Sequence, residues 1–94
     1  MPKKKVDWTK AKVDIEAIAE LMGNVLEDNA IPRNIRAAVG EARKVILAAN
    51  DDVPLSRAIY LLDDVSNDIN LPSHSRTDLW TIISELESLK EKLG

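Results

Sequence analysis

The chain has no cysteine and no phenylalanine, only three glycines, and only three aromatic residues, Trp8, Tyr60 and Trp80. Without cysteine there can be no disulfide, no thiolate metal site and no cysteine nucleophile. Three glycines cannot build a phosphate-cradling loop. No apolar run approaches the roughly 20 residues that cross a bilayer, and Met1-Pro2-Lys3-Lys4-Lys5 does not resemble the start of a signal peptide. A cytoplasmic, membrane-free protein is the expectation. With so few aromatics, a core must be assembled from Leu, Ile, Val and Ala, which suits helices lying side by side.

The 94 residues are 45% hydrophobic and 31% charged, enough for one small globular domain and too apolar for a disordered chain. The net charge of −3 is unevenly laid out. Residues 1–12 carry +4, 13–31 carry −5, 32–49 carry +3, 50–72 carry −4 and 73–94 carry −1. Successive segments of opposite sign favour neighbouring helices, each exposed pair contributing about 0–1 kcal/mol.

Four segments carry apolar residues at 3-4 spacing. They are Ala11/Ile15/Ile18/Met22/Val25, Ile35/Val39/Ala42/Ile46/Ala49, Leu55/Ala58/Leu62/Val65/Ile69 and Leu79/Ile82/Leu86/Leu89/Leu93. Pro32, Pro54 and Pro72 mark helix starts, where a missing N–H costs nothing. The expected helices are 8–28, 32–49, 54–68 and 73–92, behind a Lys-rich flexible tail at 1–7. Short connections make consecutive helices antiparallel. The spacing therefore predicts an all-α fold, an antiparallel up-and-down four-helix bundle occupying residues 8–94.

The bundle is written as two similar helical hairpins. Residues 21–36 laid on 61–76 match at Leu21/Leu61, Val25/Val65, Asp28/Asp68, Pro32/Pro72 and Arg36/Arg76, an offset of 40 residues. Each arginine stands one turn past its proline, where its five donors can reach back to the acidic end and the carbonyls of the preceding helix. Pro32, Arg36, Pro72 and Arg76 are thus expected to lock the junctions. The same period permits an alternative of two stacked repeats of the HEAT type. Gly23 and Gly40 interrupt helices and read as close helix contacts or tolerated surface sites.

Chemistry is sparse. Asp64 and Asp68 stand one turn apart, but carboxylate metal bundles need inward Glu and Glu-x-x-His pairs on several helices, and the sequence has none. The acids of Asp51-Asp52, Asp63-Asp64 and Asp68 read as turn and capping residues. The serines have no glycine-flanked elbow, and His74, in the first turn of the fourth helix, reads as a surface or packing residue. No catalytic, metal-binding or cofactor-binding residue is expected. A basic flank on helix two, Arg33, Arg36, Arg43 and Lys44, could contact phosphates together with Lys3, Lys4 and Lys5. Overall acidity and the lack of aromatics interleaved with it count against that use. Leu21, Leu47, Leu61 and the two tryptophans are least explained by a single internal seam; Trp8, Leu47 and Trp80 are the candidate partner contacts, with core flanking the favoured place for Trp80.

Three stretches carry a family likeness. They are Ile31-Pro32-Arg33-Asn34-Ile35-Arg36-Ala37-Ala38, Leu61-Leu62-Asp63-Asp64-Val65-Ser66-Asn67-Asp68, and Leu71-Pro72-Ser73-His74-Ser75-Arg76-Thr77-Asp78-Leu79-Trp80, followed by Ser84-Glu85-Leu86-Glu87. Together they resemble a family of short archaeal proteins, uncharacterised protein family 0147. The resemblance implies a compact four-helix fold classed with bromodomain-like bundles and an archaeal cytoplasm. It implies no activity and no functional residues. The leading expectation is a non-enzymatic helical protein that binds another protein or itself. The alternative is a nucleic-acid or ribosome-associated accessory protein using helix two and the lysine tail.

Overall fold

The structure, a computed structural model, describes residues 8–93. It contains four helices: α1 Trp8–Leu26, α2 Arg33–Leu47, α3 Val53–Ser66 and α4 Ser73–Leu93. The Lys-rich segment 1–7 lies outside the described residues. Each helix packs on its neighbours in chain order, α4 closes back onto α1, and the backbones of the diagonal pairs α1–α3 and α2–α4 stay more than 8 Å apart at Cα among the described residues. Stacked repeats would have set α3 against α1. The arrangement is instead a closed ring, the up-and-down bundle that the spacing demands. Its two shorter extents, 20 and 17 Å, fit two helices by two at the usual 8–10 Å separation.

The ring closes because every helix brings an aliphatic ridge to the centre. α1 buries Ala11, Ile15, Ile18, Ala19, Met22 and Val25; α2 buries Ile35, Val39, Ala42 and Ile46. Leu55, Ala58 and Leu62 come from α3, and Leu79, Ile82, Ile83, Leu86 and Leu89 from α4. No described aromatic takes part. Ile31 and Leu71, the residues before two prolines, turn inward and plug one end of the bundle. Proline holds the preceding residue extended, so the chain leaves the loop with that side chain pointed at the core.

The loops 27–32 and 67–72 repeat one another nearly bond for bond. The Asp28 amide donates to the Val25 carbonyl and the Asp68 amide to the Val65 carbonyl. The Ile31 amide donates to Asp28 O, and the Leu71 amide to Asp68 O. The Asp28 and Asp68 carboxylates accept from the Ala30 and Asn70 amides at 2.9 and 2.8 Å. These aspartate turns supply the partner that the bent backbone lacks. Asp51 does the same for Val53 at 3.0 Å between α2 and α3. No described residue has a positive φ, so these turns need no glycine, which accounts for a chain so poor in it.

Three expectations require correction. The third helix ends at Ser66, before Ile69, so Ile69 leaves the apolar stripe and stands 91% exposed while Ser66 is buried in its place. The stop is imposed by polar bonds: Arg76 Nε donates to Ser66 O, and Asn67 Nδ2 and Ser66 Oγ both donate to Asp63 O. Trp80, expected to flank the core, projects from it with 58% of its surface exposed. Leu79, Ile82, Ile83 and Leu86 already fill the inward side of α4, and a rotation of about 100° per residue carries position 80 away from it. Finally, Pro32 is the N-cap of α2, with φ −55° and ψ 147°, one step outside the first helical position. At the glycines, a Cβ on Gly23 would meet nothing within 4 Å, and one on Gly40 would rest 3.7 Å from Leu26 Cδ2. Both sites have room for a side chain.

Candidate functional site

Arginines placed by the sequence at the hairpin junctions bind main chain. Arg36 Nε donates to Ile31 O at 3.1 Å. Arg76 Nε donates to Ser66 O at 3.1 Å, and a second guanidinium nitrogen donates to Asp68 O at 3.3 Å. Both arginines are half-buried. Neither forms an ion pair with a carboxylate; the acidic helix ends were the wrong half of the expected target. A charged donor on a carbonyl left over at a helix end satisfies a group that would otherwise face the loop unpaired.

One cross-link joins the two junctions. His74 Nε2 lies 3.1 Å from Asp28 Oδ2, a hydrogen bond that is an ion pair only with the imidazole protonated, and it is the one contact within ion-pair distance among the described residues. It ties the end of the first hairpin to the start of α4. The Ala30 amide, the His74 hydrogen bond and, more weakly, the charges of His74 and Arg36 hold the Asp28 carboxyl below the usual carboxylate range against a small opposing desolvation. Asp28 is about one-third exposed and His74 about two-thirds, so solvent screens the pair. In the second junction the corresponding partners are Asp68 and Asn34, and no such bond joins them.

The basic flank of α2 is divided by its surroundings. Arg33 and Lys44 are exposed. Arg43 folds its stem down and donates from Nε to Ala19 O on α1 at 3.0 Å, and Arg36 is committed to Ile31 O. Of the four candidate phosphate contacts on α2, Arg43 therefore also tethers the helix to α1 and Arg36 holds the loop before it, and Lys3, Lys4 and Lys5 lie outside the described residues. Among the described residues no three His, Asp or Glu side chains come together as a metal site would require.

The candidate partner contacts face outward where they are described. Leu47 is 42% exposed at the end of α2, and Trp80 stands on α4. Trp8 opens α1, and its side chain lies outside the described residues. Sequence reasoning did not single out Tyr60, although it is 78% exposed on α3. Its signal was rarity: an aromatic falling between the core positions Ala58 and Leu62 must point away from them. The shallow hollows between α1 and α4, about 110 and 130 Å³, share Leu21. A larger cleft, about 510 Å³, runs between α3 and α4 and is lined by Tyr60, Ile59, Asp52 and Glu87 among others. No described helix is long and apolar enough to cross a membrane.

Comparison with known proteins agrees with this architecture. A protein of the same family from Methanothermobacter thermautotrophicus is 43% identical over 76 residues, 79% of this chain and 74% of that one. A relative from Methanocaldococcus jannaschii is 40% identical over 78 residues, 81% of this chain and 84% of its own length. Among solved structures, the crystal structure of a protein of unknown function, MMP1188, superposes with a TM-score of 0.76 at 37% identity, covering 90% of this chain and 96% of that chain. A structure from Thermoplasma acidophilum gives the same TM-score at 31% identity, covering 83% and 94%. The family profile described as "Uncharacterised protein family (UPF0147)" matches residues 2–89. With the doubled Asp, Pro and Arg junctions in place within that span, the chain belongs to this family, whose curated relatives are archaeal.

Proposed function

We propose that the chain is a small non-enzymatic helical module that binds another protein. The observation that carries this reading is the division between core and surface. Among the described residues no aromatic side chain is buried in the interior, while Tyr60 and Trp80 stand 78% and 58% exposed, with Leu47 at 42%. Aromatic side chains that do not hold the fold together are the usual anchors of a protein interface. A cytoplasmic location and a lysine-bearing tail at residues 1–7 go with this reading. The test is affinity purification from the native cell with wild type, Trp80→Ala and Leu47→Ser side by side. A specific protein retained by the wild type and lost with either variant supports the module; a set of captured proteins identical in all three overturns the assignment of these contacts.

The second reading is a nucleic-acid or ribosome-associated accessory protein. Exposed Arg33 and Lys44 favour it, and the inward commitments of Arg36 and Arg43 weigh against it. Binding through phosphates would weaken steeply with salt. RNA that co-purifies with the wild type and is lost on Arg33→Ala with Lys44→Ala would favour this reading over the first.

A further inference from the structure

We infer that the outer seam between α3 and α4 is a docking surface for a cationic amphipathic segment of a partner protein, an inference that rests on the interaction-module reading. The seam is the 510 Å³ cleft with its continuation toward the junction. On the α4 side, Arg76 reaches across to Ser66 O on α3, and Glu87, Lys90 and Glu91 line the cleft with α3 residues. This flank of α4 therefore faces α3. Trp80 lies one turn after Arg76 and two turns before Glu87, on the same helical flank. On the α3 side, Asp52, Ile59 and Tyr60 line the cleft, and Asp63 follows Ile59 by one turn. The seam thus sets two exposed aromatics at its middle and carboxylates along its length.

Charge selects the occupant. Asp52, Glu87 and Glu91 meet a single cation, Lys90, within the cleft, and Asp63 adds a further negative charge beyond it. None of these acids forms an ion pair, since the one such pair among the described residues is His74–Asp28. A second copy is a poor occupant because in a two-fold pair this seam would meet its own sign; only an off-centre contact with α2 could match it, and such a head-to-tail contact builds rings or filaments in place of a closed pair. A partner carrying Lys or Arg beside apolar residues meets both requirements. Its aliphatic side chains and cationic heads can lie on the Tyr60 and Trp80 rings, while its charges answer carboxylates that outnumber the cleft's cation, Lys90.

The experiment uses Trp8→Phe, which leaves Trp80 as the sole indole, and follows its fluorescence on adding a synthetic amphipathic peptide of leucine and lysine. A matched peptide with glutamate for lysine is the control. Saturable binding of the lysine peptide alone is expected, weakened by salt. Affinity should fall about tenfold or more for Tyr60→Ala, and likewise for Glu87→Gln with Glu91→Gln, while Arg33→Ala on α2 leaves it unchanged. The side chains of Arg33, Tyr60, Glu87 and Glu91 are exposed, and circular dichroism confirms that each variant is folded. Equal binding of both peptides, or indifference to the seam variants, overturns the inference. Loss of a native partner on Trp80→Ala without lysine-peptide binding overturns the charge assignment while leaving the module reading intact. Absence of both overturns both.

Discussion

Two hairpins that share a junction differ in nearly everything the junction does not fix. At positions 40 apart, both keep the aspartate turn, the inward aliphatic residue, the proline and the arginine. Around that frame, Leu26 becomes Ser66, Asn29 becomes Ile69, Asn34 becomes His74, Ile35 becomes Ser75, Gly40 becomes Trp80 and Arg43 becomes Ile83. In the first hairpin these sites are filled conservatively: Ile35 is fully buried, and Arg43 ties α2 to α1. The second hairpin buries the hydroxyl of Ser75 and presents Ile69 and Trp80 to solvent. The frame needs only backbone partners, so it survives changes that redistribute apolar surface from inside to outside. The first hairpin spends these sites on stability; the second carries the exposed aromatics, Tyr60 and Trp80, from which a binding role is argued.

The largest effect should come from the pair in which the hairpins are most alike. Ile46 and Leu86, 40 residues apart, are both fully buried. Truncation of either to alanine should cost about 2–5 kcal/mol, combining lost transfer energy with the cavity left behind. Urea unfolding of Ile46→Ala and Leu86→Ala is expected to give comparable losses. A Leu86→Ala loss near zero would show that the second hairpin does not share the first one's core.

The arginines distinguish the junctions next. Arg76 holds two carbonyls across the end of α3, and Arg36 holds one within its own loop. Hydrogen bonds from a charged group contribute about 1.5–3 kcal/mol each, at the low end for partly exposed sites. Arg76→Ala should therefore destabilise by about 2–3 kcal/mol and Arg36→Ala by less. Arg76→Lys should not restore the loss, because a point-charged ammonium cannot address two carbonyls as the planar fork does. Thermal melts of the three variants check the ranking, and equal melting temperatures for Arg76→Ala and wild type would dissolve the contrast.

How much of this was readable in the sequence follows from what periodicity can detect. Ile18, Ile46, Leu62 and Leu86 were placed inward because helix spacing and core burial share one period. The 40-residue offset located both junctions. Ile69 was misplaced because it continues the α3 period numerically, and a pattern of apolar residues does not register a helix stopped by hydrogen bonds from Arg76 and Asn67. Arg43 looked like surface charge for a related reason: a long side chain can bury its stem and find a carbonyl on another helix, and nothing local announces which. Trp80 was ambiguous because its direction depends on which neighbours fill the inward side first. The seam between α3 and α4 joins residues from Asp52 to Glu91, and its composition emerges only once the two helices are paired.

A smaller effect tests the second hairpin's buried polar site. Ser75 is fully buried, its hydroxyl has no partner, and its counterpart in the first hairpin is Ile35. A buried hydroxyl left unpaired costs about 1–3 kcal/mol, while losing one atom of packing costs less. Ser75→Ala should accordingly stabilise the fold by about 1 kcal/mol, measured as an increased urea midpoint at unchanged slope. Loss of stability would mean that the hydroxyl is satisfied by a water inside the bundle.

The smallest effect concerns the bond that the first junction makes with α4 and the second lacks. The Ala30 amide and His74 lower the Asp28 carboxyl in the folded state. A group whose folded pKa is depressed contributes stability that is fully present above its unfolded value and is lost as pH falls through the folded one. The stability difference between wild type and Asp28→Asn should thus be level from neutral pH down to the ordinary carboxylate range and shrink below it. His74→Asn, which gives the second hairpin the residue found at Asn34 in the first, removes only part of the cause, because the Ala30 bond comes first. It should lower the plateau of that difference and end the loss at slightly higher pH, while the loss still begins in the ordinary carboxylate range. A plateau unchanged in His74→Asn would mean that the two hairpins meet at this end without communicating through this pair, and their junctions would then be independent copies.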